Sequence, residues 1–337
     1  MATISDVAAR AGVSTATVSR TLNGKSTVDP VLAARVQEAA TELGYQPNGL
    51  ARNLRRQETA VLALVISDVE NPFFTAIARG VEDVAQTAGY SVVLCNSDEQ
   101  LAKERRYLEI AMQERVAGVI VSPVGPSTSV DILTSRGTPV VAVDRPLTEP
   151  GSDQVLVDTR QAAQEATTHL LAAGYRRVGC LTGPAGVRTA DDRLDGYLDG
   201  LRTAGVTADN TLVRRAEYRA GCADVAAEEL LDLEPPPDAL VVANSPIAVA
   251  VLQALAARGL RAGSDVGLVA FDEVPWATLI DPQLSVVAQP AYEIGRVAAE
   301  LLLARIGDHS RQPTATTLEA RLIPRGSSRR DRLPAAG

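Results

Sequence analysis

Polar and charged side chains follow several short apolar runs in this sequence. Asp144 follows VVAV, Asn244 follows LVVA and Asp272 follows LVAF, while Arg193 lies near the start of the helix-like segment TADDRLDGY. Ligands of doubly wound sheets bind beyond the carboxyl ends of the strands, where such residues would lie. Carboxylates, an amide and a planar guanidinium can each engage two adjacent groups, which suits the vicinal hydroxyls of a sugar. The pattern predicts a pocket for a small polar ligand and favours a carbohydrate.

Each of these residues also has a purely structural interpretation. Asp and Asn at strand ends often cap the helix that follows. An arginine such as Arg193 can instead form an ion pair at the surface. We favour ligand contact for Asp272 and Arg193, because both lie where two sheets would present their ligand-binding ends.

The elements that must position these residues alternate between β-rich and helical stretches from Val61 onward. The runs VLALVI, SVVLCN, GVIVS and VVAVD come first, and the scheme restarts after Asp158 with RVGCL, ALVVA and VGLVAF. Such alternation predicts doubly wound parallel sheets in two similar α/β lobes. The last helix, residues 291–306, and the strand-like TTLEARLI give the chain room to cross back between the lobes.

The first 46 residues have a different, all-helical pattern. Thr3 and Asp6 have capping-box spacing before a short amphipathic helix that Gly12 can end, and a second helix follows a tight turn. The start of the second helix carries small side chains on its outer face, which can approach base edges in a major groove. That face presents Thr15, Ala16, Ser19 and Arg20. On spacing alone, a plain three-helix bundle is an equally good interpretation.

Charge is distributed unevenly along the 337 residues, whose formal net charge is −8. Residues 1–56 hold seven basic and four acidic side chains, a net +3, which leaves −11 for the remainder. An acidic body repels phosphate, so this asymmetry favours nucleic-acid contact through the basic end alone.

Several classes of protein are disfavoured. The opening TISDVAARAGVS is too polar for a secretory segment, and no apolar stretch approaches the roughly 18 residues of a membrane span, so we expect a cytoplasmic protein with no membrane partner. Three distant cysteines disfavour a zinc site, and we expect no metal or cofactor. An enzyme is disfavoured because no glycine-rich phosphate loop follows a strand and neither histidine has a convincing nucleophile partner. An exported solute-binding protein would share the two lobes, but it should carry a signal peptide and lack the basic headpiece.

The string TISDVAARAGVSTATVSRTLNG closely resembles the headpiece of the lactose-repressor/galactose-repressor family of bacterial regulators. The resemblance continues through GYQPNGLARNL and, more diffusely, to about residue 325. It implies an all-α helix-turn-helix headpiece and an α/β, periplasmic-binding-protein-like core of two doubly wound parallel-sheet subdomains. The positions that it implies for base reading are Thr15, Ala16 and Arg20, and those that it implies for phosphate contact are Ser14, Thr17, Ser19 and Asn23.

The segment after Pro47-Asn48 reads as a hinge helix of about two turns, which is too short to be stable alone in water. In the resembled family, two such helices pair across a dimer inside the minor groove and wedge leucines between base pairs, which kinks DNA. The resemblance implies that Leu54 is the wedge and Ala51 allows close packing, with Arg52 and Arg55 beside the DNA. The alternative is a plain basic linker.

The resemblance also places the four strand-end and helix-start residues at effector positions. One departure is that Ser245 follows Asn244 where the family usually has an aspartate, which removes a charge beside the pocket. Phe74 and Trp276 have an alternative interpretation as core or dimer-interface residues. Further positions at or near the implied pocket are Asn71, Phe73, Phe74, Thr189, Tyr218, Trp276 and Gln289.

These observations predict a ligand-responsive repressor that binds a pseudo-palindromic operator in double-stranded DNA as a homodimer. A sugar or sugar derivative would modulate its affinity for the operator, because a ligand that prefers one lobe arrangement shifts the dimer toward it. The alternative is a purine- or nucleoside-type co-repressor, since Phe74 and Tyr218 could sandwich a base.

The predicted domain division has four parts: a headpiece (1–46), a hinge (47–59), a core (60–325) and a disordered tail (326–337). The core consists of an N-subdomain (about 60–157 plus 290–312) and a C-subdomain (about 158–289 plus 313–325).

Overall fold

The computed structural model describes residues 2–22, 28–45, 59–149, 151–218 and 221–330. The chain divides into two compact units, residues 1–59 and residues 60–337. Among the described residues, no helix has both the length and the apolar character needed to cross a bilayer.

The described residues of the first unit form three helices, α1 (Ile4–Ala11), α2 (Thr15–Leu22) and α3 (Pro30–Glu42). The capping box that begins α1 is present: the Asp6 carboxylate accepts from the Thr3 amide at 2.8 Å, and the Thr3 hydroxyl accepts from the Asp6 amide. Gly12 ends α1 with φ +63°, a left-handed conformation that few other residues tolerate. The three helices share a core, so the predicted helix-turn-helix is confirmed.

The second unit consists of two lobes, each built on a six-stranded sheet. The sheet of the first lobe has the strand order β11-β5-β4-β3-β1-β2, all parallel, with helices on both faces. Residues 62–66 of β1, the strand beside the edge strand β2, are all buried, as expected for a strand covered on both faces. The elements of this lobe are β1 (Val61–Ile66), α4 (Pro72–Thr87), β2 (Ser91–Asn96), α5 (Leu101–Gln113), β3 (Gly118–Val121), α6 (Asp131–Thr134), β4 (Val140–Val143), β5 (Asp153–Val157), α11 (Ala291–Gly307) and β11 (Ala315–Leu318).

The second lobe repeats this plan with the strand order β12-β10-β9-β8-β6-β7. Its strands are parallel except that β12 runs antiparallel to β10. Short 3-10 helices lie at Asn210–Leu212, Pro275–Thr278 and Gly326–Ser328. The other elements are α7 (Thr159–Ala172), β6 (Val178–Thr182), α8 (Arg188–Thr203), β7 (Val213–Arg215), α9 (Asp224–Leu231), β8 (Ala239–Val242), α10 (Ser245–Ala257), β9 (Gly267–Phe271), β10 (Ser285–Ala288) and β12 (Arg321–Ile323).

The chain crosses between the lobes three times, after β5, after β10 and between β11 and β12. The last crossing corrects the predicted boundary, which assigned residues 313–325 to the second lobe. Strand β11 pairs with β5 of the first sheet, with Thr316 beside Val155, and only β12 joins the second sheet. The run TTLEARLI alternates between polar and apolar residues from Thr317 to Leu322, and this period of two does not distinguish one strand from two strands that belong to different sheets.

The prediction of a disordered tail from residue 326 is wrong for residues 326–330. Ser327 and Ser328 are fully buried, and their hydroxyls are satisfied: Ser327 donates to the Leu268 carbonyl at 2.7 Å, and Ser328 lies 2.7 Å from the Ser285 hydroxyl and 2.7 Å from His169 Nε2. The polar composition of this segment suggested solvation, but small hydroxyls can be buried when each finds a partner.

Candidate functional sites

A narrow cleft lies between the two lobes, at the carboxyl ends of both sheets. Ten of the eleven predicted pocket residues line it, all except Trp276. Three further residues that sequence reasoning missed, Asp68, Glu99 and Arg145, also line it. The two lobes thus bring together side chains that lie as far apart in the chain as Asp68 and Gln289.

Asp144 and Asp272 lie at equivalent points of the two lobes, each immediately after a central strand. Their φ angles are +66° and +78°, a left-handed conformation that is strained for a residue with a Cβ atom. Both side chains are buried in the cleft. Burial raises the pKa of both carboxyls, and nearby guanidinium groups, Arg145 and Arg193 for Asp144 and Arg193 for Asp272, act in the opposite direction.

Arg193 lies in the second turn of α8 and is 5% exposed, so the surface ion-pair interpretation is wrong. Its Nη1 donates to the Ala243 carbonyl at 2.6 Å, and its guanidinium carbon lies 4.4 Å from the centre of the Phe271 ring. These two contacts fix the plane of the guanidinium, a geometry that suits recognition of paired oxygen atoms.

The capping interpretation is correct for Asn244, and Asn71, for which it was not proposed, also caps a helix. Asn71 Oδ1 accepts from the Phe73 amide at 3.0 Å and begins α4, and Asn244 Oδ1 accepts from the Ile247 amide at 2.9 Å and begins α10. Both residues also line the cleft. In addition to capping α10, Asn244 donates from Nδ2 to the Tyr218 carbonyl. Capping and pocket lining are therefore compatible at these strand ends.

Arg145 and Glu99 form a buried bidentate ion pair within the first lobe. Arg145 Nη1 and Nη2 each donate to a Glu99 carboxylate oxygen at 2.7 Å, and Nη1 also meets the carbonyls of Pro123 and Val124 at 3.2 Å. The guanidinium lies 5.8 Å from the ring centre of Tyr218 in the opposite lobe. The sequence signal for Arg145 was its position directly after Asp144; Glu99 had no comparable signal.

Several polar atoms of the cleft are buried without a hydrogen-bond partner in the described part of the chain. They include Arg193 Nε, Gln289 Oε1 and Arg145 Nε, the last of which lies 3.4 Å from Asp144 Oδ2 in an ion pair but makes no hydrogen bond. Buried polar groups are normally paired, because an unpaired one costs about 1–3 kcal/mol. Two guanidinium donors and one amide acceptor without hydrogen bonds in one cleft are the complement of a ligand with several hydroxyl groups.

Trp276 does not line the cleft, so its prediction as a pocket residue is wrong. It lies in the 3-10 helix Pro275–Thr278 and packs against the hydrophobic core of the second lobe. The alternative interpretation as a core residue therefore describes it better. Asp272 lines the cleft and Trp276, four positions later, does not. The spacing of residues in the sequence does not show where the chain leaves the cleft.

The outer face of α2 is accessible in the first unit, while Val18 on its inner face is fully buried. Ser14 begins the helix: its hydroxyl accepts from the Thr17 amide at 3.1 Å. Ser14, Thr15, Ala16 and Arg20 are exposed, and Thr17 and Ser19 are half-buried. The other predicted DNA-binding residues lie outside the described residues; they are Asn23, Ala51, Arg52, Leu54 and Arg55.

Two family models match the chain. Residues 3–48 match the model of bacterial regulatory proteins of the lacI family, and residues 167–328 match a periplasmic binding protein-like domain. The first range covers the three-helix unit and the second covers most of the second lobe.

Named relatives match over nearly the whole length. The ribose operon repressor of Bacillus subtilis is 36% identical over 331 residues, which are 98% of this chain and 100% of the relative. The transcriptional repressor CytR of Escherichia coli is 32% identical over 97% of this chain and 96% of its own length.

Solved structures agree with the fold. The transcriptional regulator CelR in complex with cellobiose has a TM-score of 0.74 at 31% identity, over 97% of this chain and all of that one. A regulator from Enterococcus faecium with bound ribose has a TM-score of 0.72 at 25% identity, over 79% of this chain and 98% of that one.

Proposed function

Since the chain belongs to the lacI family of bacterial regulatory proteins, we propose that it is a transcriptional repressor whose effector is a free pentose such as ribose. It binds a pseudo-palindromic operator as a homodimer and acts in the cytoplasm, where that DNA lies, without catalysing a reaction. The observation that carries the choice of effector is the convergence of two carboxyl groups, Asp144 and Asp272, and two guanidinium groups, Arg145 and Arg193, on one interlobe cleft.

The side chains of the cleft match the chemistry of a small sugar. Carboxylates accept hydrogen bonds from hydroxyl groups, and planar guanidinium groups donate to the ring and hydroxyl oxygens. Phe73, Phe74 and Tyr218 supply apolar surfaces for the faces of the sugar ring. The ribose operon repressor among the relatives and the ribose-bound regulator among the solved structures favour a monosaccharide over a disaccharide such as cellobiose.

The charge of the cleft favours an unphosphorylated sugar. Four carboxyl groups, those of Asp68, Glu99, Asp144 and Asp272, face two guanidinium groups. Glu99 already occupies both terminal nitrogens of Arg145, so the cleft has little free positive charge for a phosphate. Like charges at short distance disfavour an anionic ligand, and the predicted effector is neutral.

Binding regulates DNA affinity because the cleft is shared by both lobes. A ligand that contacts Asp144 and Arg193 together prefers the lobe arrangement in which both reach it. The dimer then shifts toward that arrangement, and the separation of its two headpieces changes with it.

Calorimetric titration of the full-length protein with ribose tests the choice of effector. The operator is selected from a random duplex library, and its affinity is measured with and without sugar. We expect ribose to bind once per chain and to change operator affinity, while ribose 5-phosphate and cellobiose do neither. Binding of adenosine or cytidine in place of ribose would support the nucleoside alternative, and no sequence preference in the library would reject the repressor itself.

A further inference from the structure

We propose that Glu104 is a positioning residue for the effector: its buried carboxylate holds the loop of residues 122–130, and this loop holds Arg145 in the cleft. The inference rests on the proposed function in one respect, namely that Arg145 contacts the effector. Glu104 itself lies outside the cleft, and the sequence offered no signal for it.

Glu104 is a fully buried acid on α5, with 1% of its surface exposed. Its Oε2 accepts from the Val124 amide at 2.7 Å, and its Oε1 accepts from the Thr128 hydroxyl at 2.6 Å. Both carboxylate oxygens are thus used to hold the loop that follows β3. Burial raises the pKa of this carboxyl, because removing an ionised carboxylate from water costs free energy.

Val124 transmits the constraint to the cleft. Its amide is held by Glu104, and its carbonyl accepts from Arg145 Nη1 at 3.2 Å, as does the carbonyl of Pro123. One peptide segment therefore has the acid on one side and the pocket arginine on the other. Glu99 holds the two terminal nitrogens of Arg145, and Asp144 Oδ2 lies 3.4 Å from Nε, which has no hydrogen-bond partner.

The loop has little regular structure of its own to replace this support. It contains Pro123, Gly125 and Pro126, and its internal bonds include a turn in which the Thr128 amide donates to the Gly125 carbonyl at 3.0 Å. Without the carboxylate, the two carbonyls that face Arg145 lose their fixed position. A small displacement of a ligand-contacting guanidinium is enough to weaken binding substantially.

Substitutions at Glu104 separate positioning from charge. Glu104→Gln keeps an oxygen for the Val124 amide and can donate to the Thr128 hydroxyl, whereas Glu104→Ala removes both bonds. We expect Glu104→Ala to weaken ribose binding by roughly tenfold or more and Glu104→Gln to stay within about threefold of wild type. Glu114→Ala, at an exposed position at the end of the same helix, is the matched control and leaves the affinity unchanged.

A double-mutant cycle tests whether Glu104 acts through Arg145. In an Arg145→Lys background, which has lost the bidentate pair with Glu99, Glu104→Ala should cause no further loss of ribose affinity. Additive losses in the cycle, or a Gln variant as impaired as the Ala variant, overturn the inference. Operator affinity without sugar should be unchanged in the control variant Glu114→Ala.

Hydrogen exchange of the ligand-free protein keeps this test independent of the effector's identity. Glu104→Ala should increase deuterium uptake in residues 122–130 and in the peptide that contains Arg145, and Glu104→Gln should not. Unchanged uptake in the Ala variant overturns the loop contact even if the effector is some other sugar. Failure of the wild-type protein to bind ribose, with the exchange result as expected, rejects only the choice of effector.

Discussion

Gln289 Nε2 donates a hydrogen bond to Asp272 Oδ1 across 2.7 Å. This contact joins the ends of the neighbouring strands β9 and β10 and orients a buried carboxylate toward the cleft. The pKa of Asp272 is nonetheless raised by burial, even though Arg193, the Gln289 amide and the Ser245 backbone amide all favour its ionised form. Asp272 is therefore retained at a cost in stability, which is typical of a residue kept for binding.

The first prediction concerns Asp272→Asn. Because burial raises the pKa of Asp272 in the folded chain, the folded chain holds a proton over a pH range in which the unfolded chain has released it. Asp272 therefore makes the free energy of unfolding fall as the pH rises above about 4. Asn keeps the acceptor for Gln289 and removes the titration. The variant should be more stable than wild type at pH 7.5, with a shallower loss of stability between about pH 4 and pH 7.5, and should lose its response to ribose.

Urea unfolding at the two pH values measures this difference. Asp281→Asn is the control, because its side chain is 92% exposed and pairs with Arg261 at the surface. A less stable Asp272→Asn protein at pH 7.5 would contradict the assigned cost of burial.

The second prediction concerns Arg193→Lys. Lysine keeps the positive charge but has no planar group to stack on Phe271 while donating to the Ala243 carbonyl. Ribose affinity should fall by roughly tenfold or more, since bonds to a charged donor are worth about 1.5–3 kcal/mol. Calorimetry measures the affinity, and Arg188→Ala, an exposed partner of Asp192 on the same helix, should leave it unchanged. Full ribose affinity in Arg193→Lys would show that charge alone is sufficient there.

The third prediction concerns Arg20→Ala in the DNA-binding helix. Arg20 is exposed on the outer face of α2, and a bidentate contact to guanine contributes about 1–3 kcal/mol of base discrimination. The variant should lose about ten- to a hundredfold in operator affinity and much less on random duplex DNA. Arg10→Ala, which removes an exposed ion pair with Glu42, is the control. Equal losses on both DNAs in a gel-shift titration would mean that Arg20 contacts only phosphate.

The fourth prediction concerns the close packing of α11 against α4. A Cβ atom added at Gly295 would lie 2.0 Å from the Ile77 carbonyl oxygen, so the two helices would have to separate. Gly295→Ala should reduce the free energy of unfolding by about 1–3 kcal/mol or more. Gly307→Ala, at the end of the same helix with open space around it, should be neutral or slightly stabilising. Thermal unfolding compares the two variants, and an undiminished Tm for Gly295→Ala would mean that the helices separate without cost.

Local signals in the sequence account for the elements that were predicted correctly. The Thr3 and Asp6 capping box, the turn at Gly12 and the apolar stripe of α2 depend on residues within a few positions of one another. Strand ends gave Asp144, Asn244 and Asp272 for the same reason, because a buried run followed by a polar residue is visible without knowing the partner strands.

The tertiary structure alone decided contacts between distant residues. Glu99 and Arg145 are 46 positions apart and meet only because β2 and β4 end at the same edge of one sheet. Glu104 reaches Val124 across 20 positions, and β11 joins the first sheet and not the second. The spacing of residues in the sequence thus determined which residues start helices and end strands. The pairing of buried charges and the assignment of edge strands to a sheet depended on how the sheets and helices pack. The interaction energies that decide these two features arise between segments that are distant in the sequence, so the local pattern does not contain them.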